Sequence, residues 1–150
     1  MKVMLDTNVL LSGLGFSGVC SDLLEELLYQ GCELIETDYI LEELREKVRS
    51  KLKGEQREKA LDLLLFLLQR LPLKVKRFDE YSVNLSKVEG LVPEEDTPIL
   101  AAAVQQEVDY FVTGDKIHFL ENKGVRSLLK AKLKSPKEML EVLSTRRAGA

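Results

Sequence analysis

Tryptophan is absent, His118 is the only histidine, and there are two cysteines, Cys20 and Cys32. One histidine leaves zinc short of its usual ligands and leaves Ser–His–Asp hydrolysis a single candidate base, with no nucleophile-elbow motif beside it. Cys20 and Cys32 lack the spacing of a metal or redox motif, so they read as small apolar side chains. No run of about 18 apolar residues exists, which excludes a membrane-spanning helix. Met1–Asp6 enters directly into a strand-like segment without a leader-type apolar stretch, so the expected location is cytoplasmic. No phosphate loop of the GxxxxGK[ST] or GxGxxG type is present. Residues 13–18, GLGFSG, have the wrong spacing and read as a flexible loop. Repeats, low-complexity tracts and linkers are also missing.

What is present is an ordinary globular balance, 45% hydrophobic and 31% charged over 150 residues. That predicts one domain over residues 1–150, able to bury about 68–70% of its unfolded surface without a disulfide or metal staple. The net charge is only −3, but it is segregated along the chain. Residues 1–43 carry −8, residues 44–77 carry +7, residues 78–115 carry −8 and residues 116–150 carry +6. Solvated helix faces are one reading. The other is acidic segments converging on cations, flanked by basic segments that hold a polyanion.

The hydrophobic pattern alternates between strands and helices. Lys2–Leu5 reads as a buried strand. Val19, Leu23, Leu24, Leu27 and Leu28 share a helical face that Gly31 terminates. Glu33–Glu36 reads as a second strand, followed by a helix from Asp38 with Ile40, Leu41, Leu44 and Val48 on its apolar side. Glu55–Leu71 predicts another helix, stopped by Pro72. Leu73–Phe78 alternates as a half-exposed strand does. Thr97-Pro98 suggests an N-cap followed by a first-turn proline. Tyr110–Thr113 reads as a strand ending at Gly114-Asp115, and a further strand is expected between Leu129 and Lys134. Ser135-Pro136-Lys137-Glu138 is a capping box that opens the last helix. Such alternation implies an α/β fold with a parallel sheet covered by helices.

In parallel sheets the functional crevice lies beyond the carboxyl ends of the strands, at a switch point. Four acidic positions match that rule. Asp6 follows the first strand, Asp115 follows the Tyr110–Thr113 strand, Asp96 precedes a helix, and Glu42 and Glu43 lie near the start of the helix after the second strand. Clustered carboxylates repel one another unless a proton or cation intervenes. Their oxygens suit Mg²⁺ or Mn²⁺, and a carboxylate-held divalent ion suits phosphoryl chemistry. Asn8 stands where a phosphoaspartyl enzyme would place its second Asp, which argues against that mechanism. His118 reads as an isolated loop histidine and Lys116 as a surface lysine.

The segments Val3–Ser12 (VMLDTNVLLS), Ile40–Leu44 (ILEEL), Glu95–Ala103 (EDTPILAAA) and Val112–Lys116 (VTGDK) together resemble the PIN domain family. They resemble most the prokaryotic VapC-like toxins of type II toxin–antitoxin systems. The resemblance runs in order along nearly the whole chain. It implies a three-layer α/β/α sandwich with a central parallel sheet, and an Mg²⁺- or Mn²⁺-dependent endoribonuclease that cuts RNA by metal-activated water. Residue by residue, it implies that Asp6, Glu43 (with Glu42 adjacent), Asp96 and Asp115 are the catalytic metal ligands. Thr7, Asn8 and Thr113 would orient them. Many VapC toxins carry a further Asp shortly after the fourth acid, where this chain has Ile117 and His118. The family also implies a homodimer and an antitoxin protein as partner. A catalytically idle module that binds RNA or protein is the alternative.

Two expectations concern surfaces. Arg45, Lys47, Arg49, Lys51 and Lys53, together with Arg126, Lys130, Lys132 and Lys134, are candidates for RNA binding. In the Glu55–Leu71 helix, Leu61, Leu64, Leu65 and Leu68 read as the core stripe. Leu63, Phe66 and Leu67 form a second apolar face, available to a homodimer.

Overall fold

The computed structural model describes residues 1–149. Its core is a five-stranded, wholly parallel sheet. The strands are β1 (Lys2–Leu5), β2 (Glu33–Thr37), β3 (Leu73–Lys76), β4 (Tyr110–Val112) and β5 (Leu133–Lys134), in spatial order β3-β2-β1-β4-β5. β1 is central because it can be: Val3, Met4 and Leu5 are wholly buried, as a strand covered on both faces requires. β3 lies at an edge and accordingly mixes apolar and basic residues. Helices flank this sheet, giving the predicted PIN-like α/β/α arrangement. No helix among the described residues is long and apolar enough to cross a membrane.

The chain first builds outward from β1. Helices α1 (Thr7–Gly15) and α2 (Val19–Tyr29) lead to β2, and α3 (Asp38–Lys51) and α4 (Gly54–Arg70) lead to β3. Short α5 (Phe78–Tyr81) and α6 (Leu85–Val88), then α7 (Thr97–Ala103), carry it back to β4 on the other side of β1. Helix α8 (Lys123–Leu129), β5 and α9 (Pro136–Ala148) finish the fold. The winding direction therefore reverses between β1 and β4, which makes their carboxyl ends the switch point of the sheet.

Three local expectations are corrected. The Gly-rich segment is not a free loop: α1 runs through Gly15, and of its glycines only Gly18, with φ 140°, belongs to the turn at residues 16–18 before α2. Gly13 is a packing residue, since a Cβ there would lie 2.4 Å from Leu24 Cδ1. The cap of α7 is Asp96 rather than Thr97, whose hydroxyl instead donates to the Pro93 carbonyl. The leucine stripe of α4 is displaced. Leu61, Leu65 and Leu68 are exposed, while Ala60 and Leu67 are buried and Leu63 and Leu64 half-buried. A helix apolar nearly all round does not say which side docks, and the packing of α4 against α1 decides it.

Candidate active site at the carboxyl edge of the sheet

Asp6 is the first residue beyond β1. Its backbone N–H donates to the Val112 carbonyl, so it is pinned where β1 and β4 part. One carboxylate oxygen accepts from the Thr7 N–H and the other from the Thr113 hydroxyl, both at 2.8 Å. Thr113 is wholly buried, and its Oγ1 also accepts the Asp115 N–H at 3.1 Å. One threonine hydroxyl thus ties the first acidic position to the fourth. Burial pushes the Asp6 carboxyl up to about 6 from its ordinary 3.8. The Thr113 and Thr7 bonds pull against that rise, and the negative charges of Glu43 and Asp96 add to it.

Asp96 and Asp115 meet across His118. The His118 Nδ1 lies 2.9 Å from Asp115 Oδ2 and 3.2 Å from Asp96 Oδ2. Asp115 also caps the single helical turn Lys116–Leu120 by accepting the His118 N–H. Burial raises the pKa of Asp96, His118 opposes that rise, and Asp115, Glu95 and Glu43 reinforce it. Glu43 comes from α3 and is half-buried, with Lys47 at 3.8 Å. Its charge bears on both Asp6 and Asp96. Glu42 points elsewhere, exposed and paired with Arg45. Asp6, Glu43, Asp96 and Asp115 are therefore electrostatic neighbours in one site, although the first and last are far apart in sequence.

The smaller polar residues divide. Thr113 grips Asp6 directly. Thr7 reaches it only through its backbone, and its buried hydroxyl has no partner among the described residues. Asn8 is exposed and accepts from Lys47 at 3.1 Å, so it acts on Glu43 only through that lysine. Three participants escape a reading of the sequence. His118 bridges two carboxylates, a position signalled only by its i+3 spacing from Asp115. Tyr39 donates to the Glu95 carbonyl at 2.7 Å beside the acidic cluster. Glu36 looks like an ordinary strand residue. It is completely buried instead, accepting the Leu5 N–H at 2.7 Å where the β1–β2 ladder ends. Burial, with Asp6 adding to it, raises its pKa well above its ordinary value, against the pull of the Leu5 N–H.

The donor set fits a hard divalent cation. Asp96, Asp115 and His118 each offer a ligand atom, all within 4.8 Å of one another. The charges of Asp6 and Glu43 bear on this group, and crowding of like charge gives the site affinity for positive charge.

Similarity to known proteins agrees with this architecture. The fold resembles that in the crystal structure of VapBC2 from Rickettsia felis bound to a DNA fragment from their promoter. The TM-score is 0.60 at 22% identity, covering 90% of this chain and 98% of that one. It also resembles that of FitAcB from Neisseria gonorrhoeae, at TM-score 0.59 and 20% identity over 90% of this chain and 98% of that one. A structure of FitAB bound to an IR36 DNA fragment gives TM-score 0.59 and 19% identity over 89% and 94%. At such identities these likenesses speak for the fold. No curated protein matches the chain. The PIN domain family model matches residues 2–117, which include all four acidic positions and the segments that carry them, so this chain belongs to the PIN domain family.

Proposed function

We propose that the protein is an Mg²⁺- or Mn²⁺-dependent endoribonuclease, acting as one nuclease domain over residues 1–150 and serving as the toxin of a toxin–antitoxin pair. The observation that supports this reading is the mutual electrostatic influence of Asp6, Glu43, Asp96 and Asp115 beyond the carboxyl ends of β1 and β4 in a PIN domain. Asp6, Glu43, Asp96 and Asp115 would hold the cation. When bound, the cation supplies an activated water and positive charge against the phosphodiester. Thr113 keeps the Asp6 carboxylate turned into the site and fixes the backbone entering Asp115. With a proton on Nδ1, His118 donates to Asp96 and Asp115 and limits their mutual repulsion. Lys47 holds Glu43 toward the cluster. The resemblance to VapC-like proteins and the VapBC2 neighbour support an antitoxin partner.

Incubation with a mixed RNA pool and Mn²⁺ tests the activity. Cleavage that EDTA abolishes is the expected result, and intact RNA under those conditions would reject it.

A second copy of the chain is the proposed partner of α4, where Leu61, Leu65, Phe66 and Leu68 leave an apolar face exposed. Phe66 is 40% exposed, with the Arg70 guanidinium over its ring at 4.9 Å, so Phe66→Glu should leave the fold intact. Sedimentation should show a wild-type dimer and a folded Phe66→Glu monomer. A wild-type monomer would reject the homodimer, and a dimeric variant would place the interface elsewhere.

A further inference from the structure

The structure separates cations that are already paired from those that are free. Lys74 and Lys76 close on Glu107, Arg147 on Glu26, Arg45 on Glu42 and Lys47 on Glu43. Arg57 donates to the Leu52 and Arg49 carbonyls, and Lys132 to those of Ala103 and Gln105. Several residues of the two basic stretches in the sequence are thus engaged within the fold. Lys123, Arg126, Lys130 and Lys134 are not. Among the described residues, no carboxylate lies within 4.0 Å of any of the four.

These four cations share one open concavity of about 810 Å³ with Ser127 and Glu138. Positions 123, 126, 127 and 130 fall on one side of α8 and its exit, a line about 10 Å long at 1.5 Å per residue. Lys134 faces them from β5, the edge strand. Glu138, whose carboxylate accepts the Ser135 N–H as the α9 cap, is the one acid in this lining, which therefore carries four cations against one anion.

Two further observations give the basin a role. It adjoins the carboxylate site. Leu120, on its wall, donates its N–H to the Asp115 carbonyl, and the Lys134 carbonyl accepts the Thr113 N–H at 3.0 Å. Lys130 also has φ +53°, the one positive φ outside glycine among the described residues. Glycine would adopt that backbone without strain, yet the chain places a long cationic side chain there.

We infer that the α8–β5 basin is the seat of the RNA strand running out of the cleavage site, with Lys123, Arg126, Lys130 and Lys134 gripping its phosphates. The inference rests on the nuclease reading for the direction of the strand. The grip itself depends only on the basin's charge. An acidic protein segment is the competing occupant, but a cationic, anion-binding basin next to a site proposed to cut phosphodiesters favours the polymer that could engage both.

The test uses the full chain carrying Asp6→Asn, in EDTA, so that RNA stays intact. Binding of a fluorescein-labelled single-stranded RNA of about 12 nucleotides is followed by anisotropy across a KCl series. Replacing Lys123, Arg126, Lys130 and Lys134 by Gln should weaken binding about 10²-fold at low salt. It should also reduce the slope of log affinity against log salt by about 3, since each lost phosphate contact removes roughly 0.7. Lys130→Gly alone should weaken binding without lowering the melting temperature, because it relieves the backbone strain. Gln at Arg49, Lys51 and Lys53 should change neither affinity nor slope. Unchanged binding in the basin variant, an equal loss in the α3 variant, or preference for a glutamate-rich peptide over RNA would each overturn the inference. Failure of the wild type to cut RNA, with basin-dependent binding preserved, would reject the nuclease reading and leave the grip standing. Cleavage by the wild type with binding untouched by the basin substitutions would do the reverse.

Discussion

Asp6→Asn should produce an enzyme that is more stable and nearly inactive. Asp6 is 6% exposed and titrates at about 6 in the fold, against an ordinary 3.8. That difference is a native-state preference of ~3 kcal/mol for the neutral carboxyl. The sign follows from linkage. Between the two values the native state binds more protons than the unfolded one, so stability is fully present below pH 3.8 and is lost as pH rises through about 6. At pH 8 the wild type without cation therefore carries the whole cost of a buried, crowded charge. Asn is isosteric and neutral, can still accept the Thr7 N–H, and removes that cost. Allowing for relaxation of the site, a gain of ~2 kcal/mol, or about 5 °C in melting temperature, is expected at pH 8, shrinking towards pH 4. RNA cleavage in Mn²⁺ should fall by about 10³-fold, the loss of several kcal/mol of charge stabilisation. Thermal melts at the two pH values and single-turnover cleavage check both halves. A destabilised variant would show that the Thr113–Asp6 bond outweighs the burial of charge, and an active one would remove Asp6 from the catalytic set.

Divalent cation should stabilise the wild type by the complementary route. An ion that binds the assembled carboxylates but not the unfolded chain contributes ~2.7 kcal/mol at 100 times its dissociation constant. For a chain of this size that is about 5–10 °C. The gain should depend on pH, because protons compete for the same oxygens. Asp6 titrates at about 6, and Asp96 is raised as well by burial and by its acidic neighbours. Melts in saturating Mn²⁺ should therefore shift strongly at pH 8 and weakly at pH 5. The shift should vanish when Asp6, Asp96 and Asp115 are all changed to Asn. A shift of equal size at both pH values, or one retained by the triple variant, would place the ion elsewhere.

Much of this protein could be read from its residues because the relevant signals are local. A strand with no polar residue between Val3 and Leu5 has to be central. The Ser135–Glu138 capping box begins α9 where predicted, and both of its hydrogen bonds are present. Pro72 follows the end of α4. The alternation of strands and helices was enough for a parallel α/β/α sandwich, and with it the rule that chemistry gathers at the carboxyl ends of the strands. That rule placed Asp6, Asp96 and Asp115 together before any distance was available.

The rest depended on contacts between distant segments. Glu42 and Glu43 are adjacent on a helix, and only the docking of α3 turns Glu43 toward Asp6 and leaves Glu42 with Arg45. The leucines of α4 satisfy several helical faces equally well, so the side that meets α1 could not be chosen from periodicity. Gly13 resembles a loop glycine until Leu24 is seen to occupy the space of its missing Cβ. Glu36 reads only as the end of the second strand, yet β1 and β2 separate there and Leu5 needs an acceptor. His118 reads as isolated until the return of the chain through α7 brings Asp96 to its Nδ1. Periodicity, capping and turn chemistry are properties of neighbouring residues, and the sequence by itself determined the elements and their order through them. Which carboxylate is neutral, which is crowded and which is paired is a property of the electric field and the solvent exclusion at a point, and those exist only after the helices have closed over the sheet.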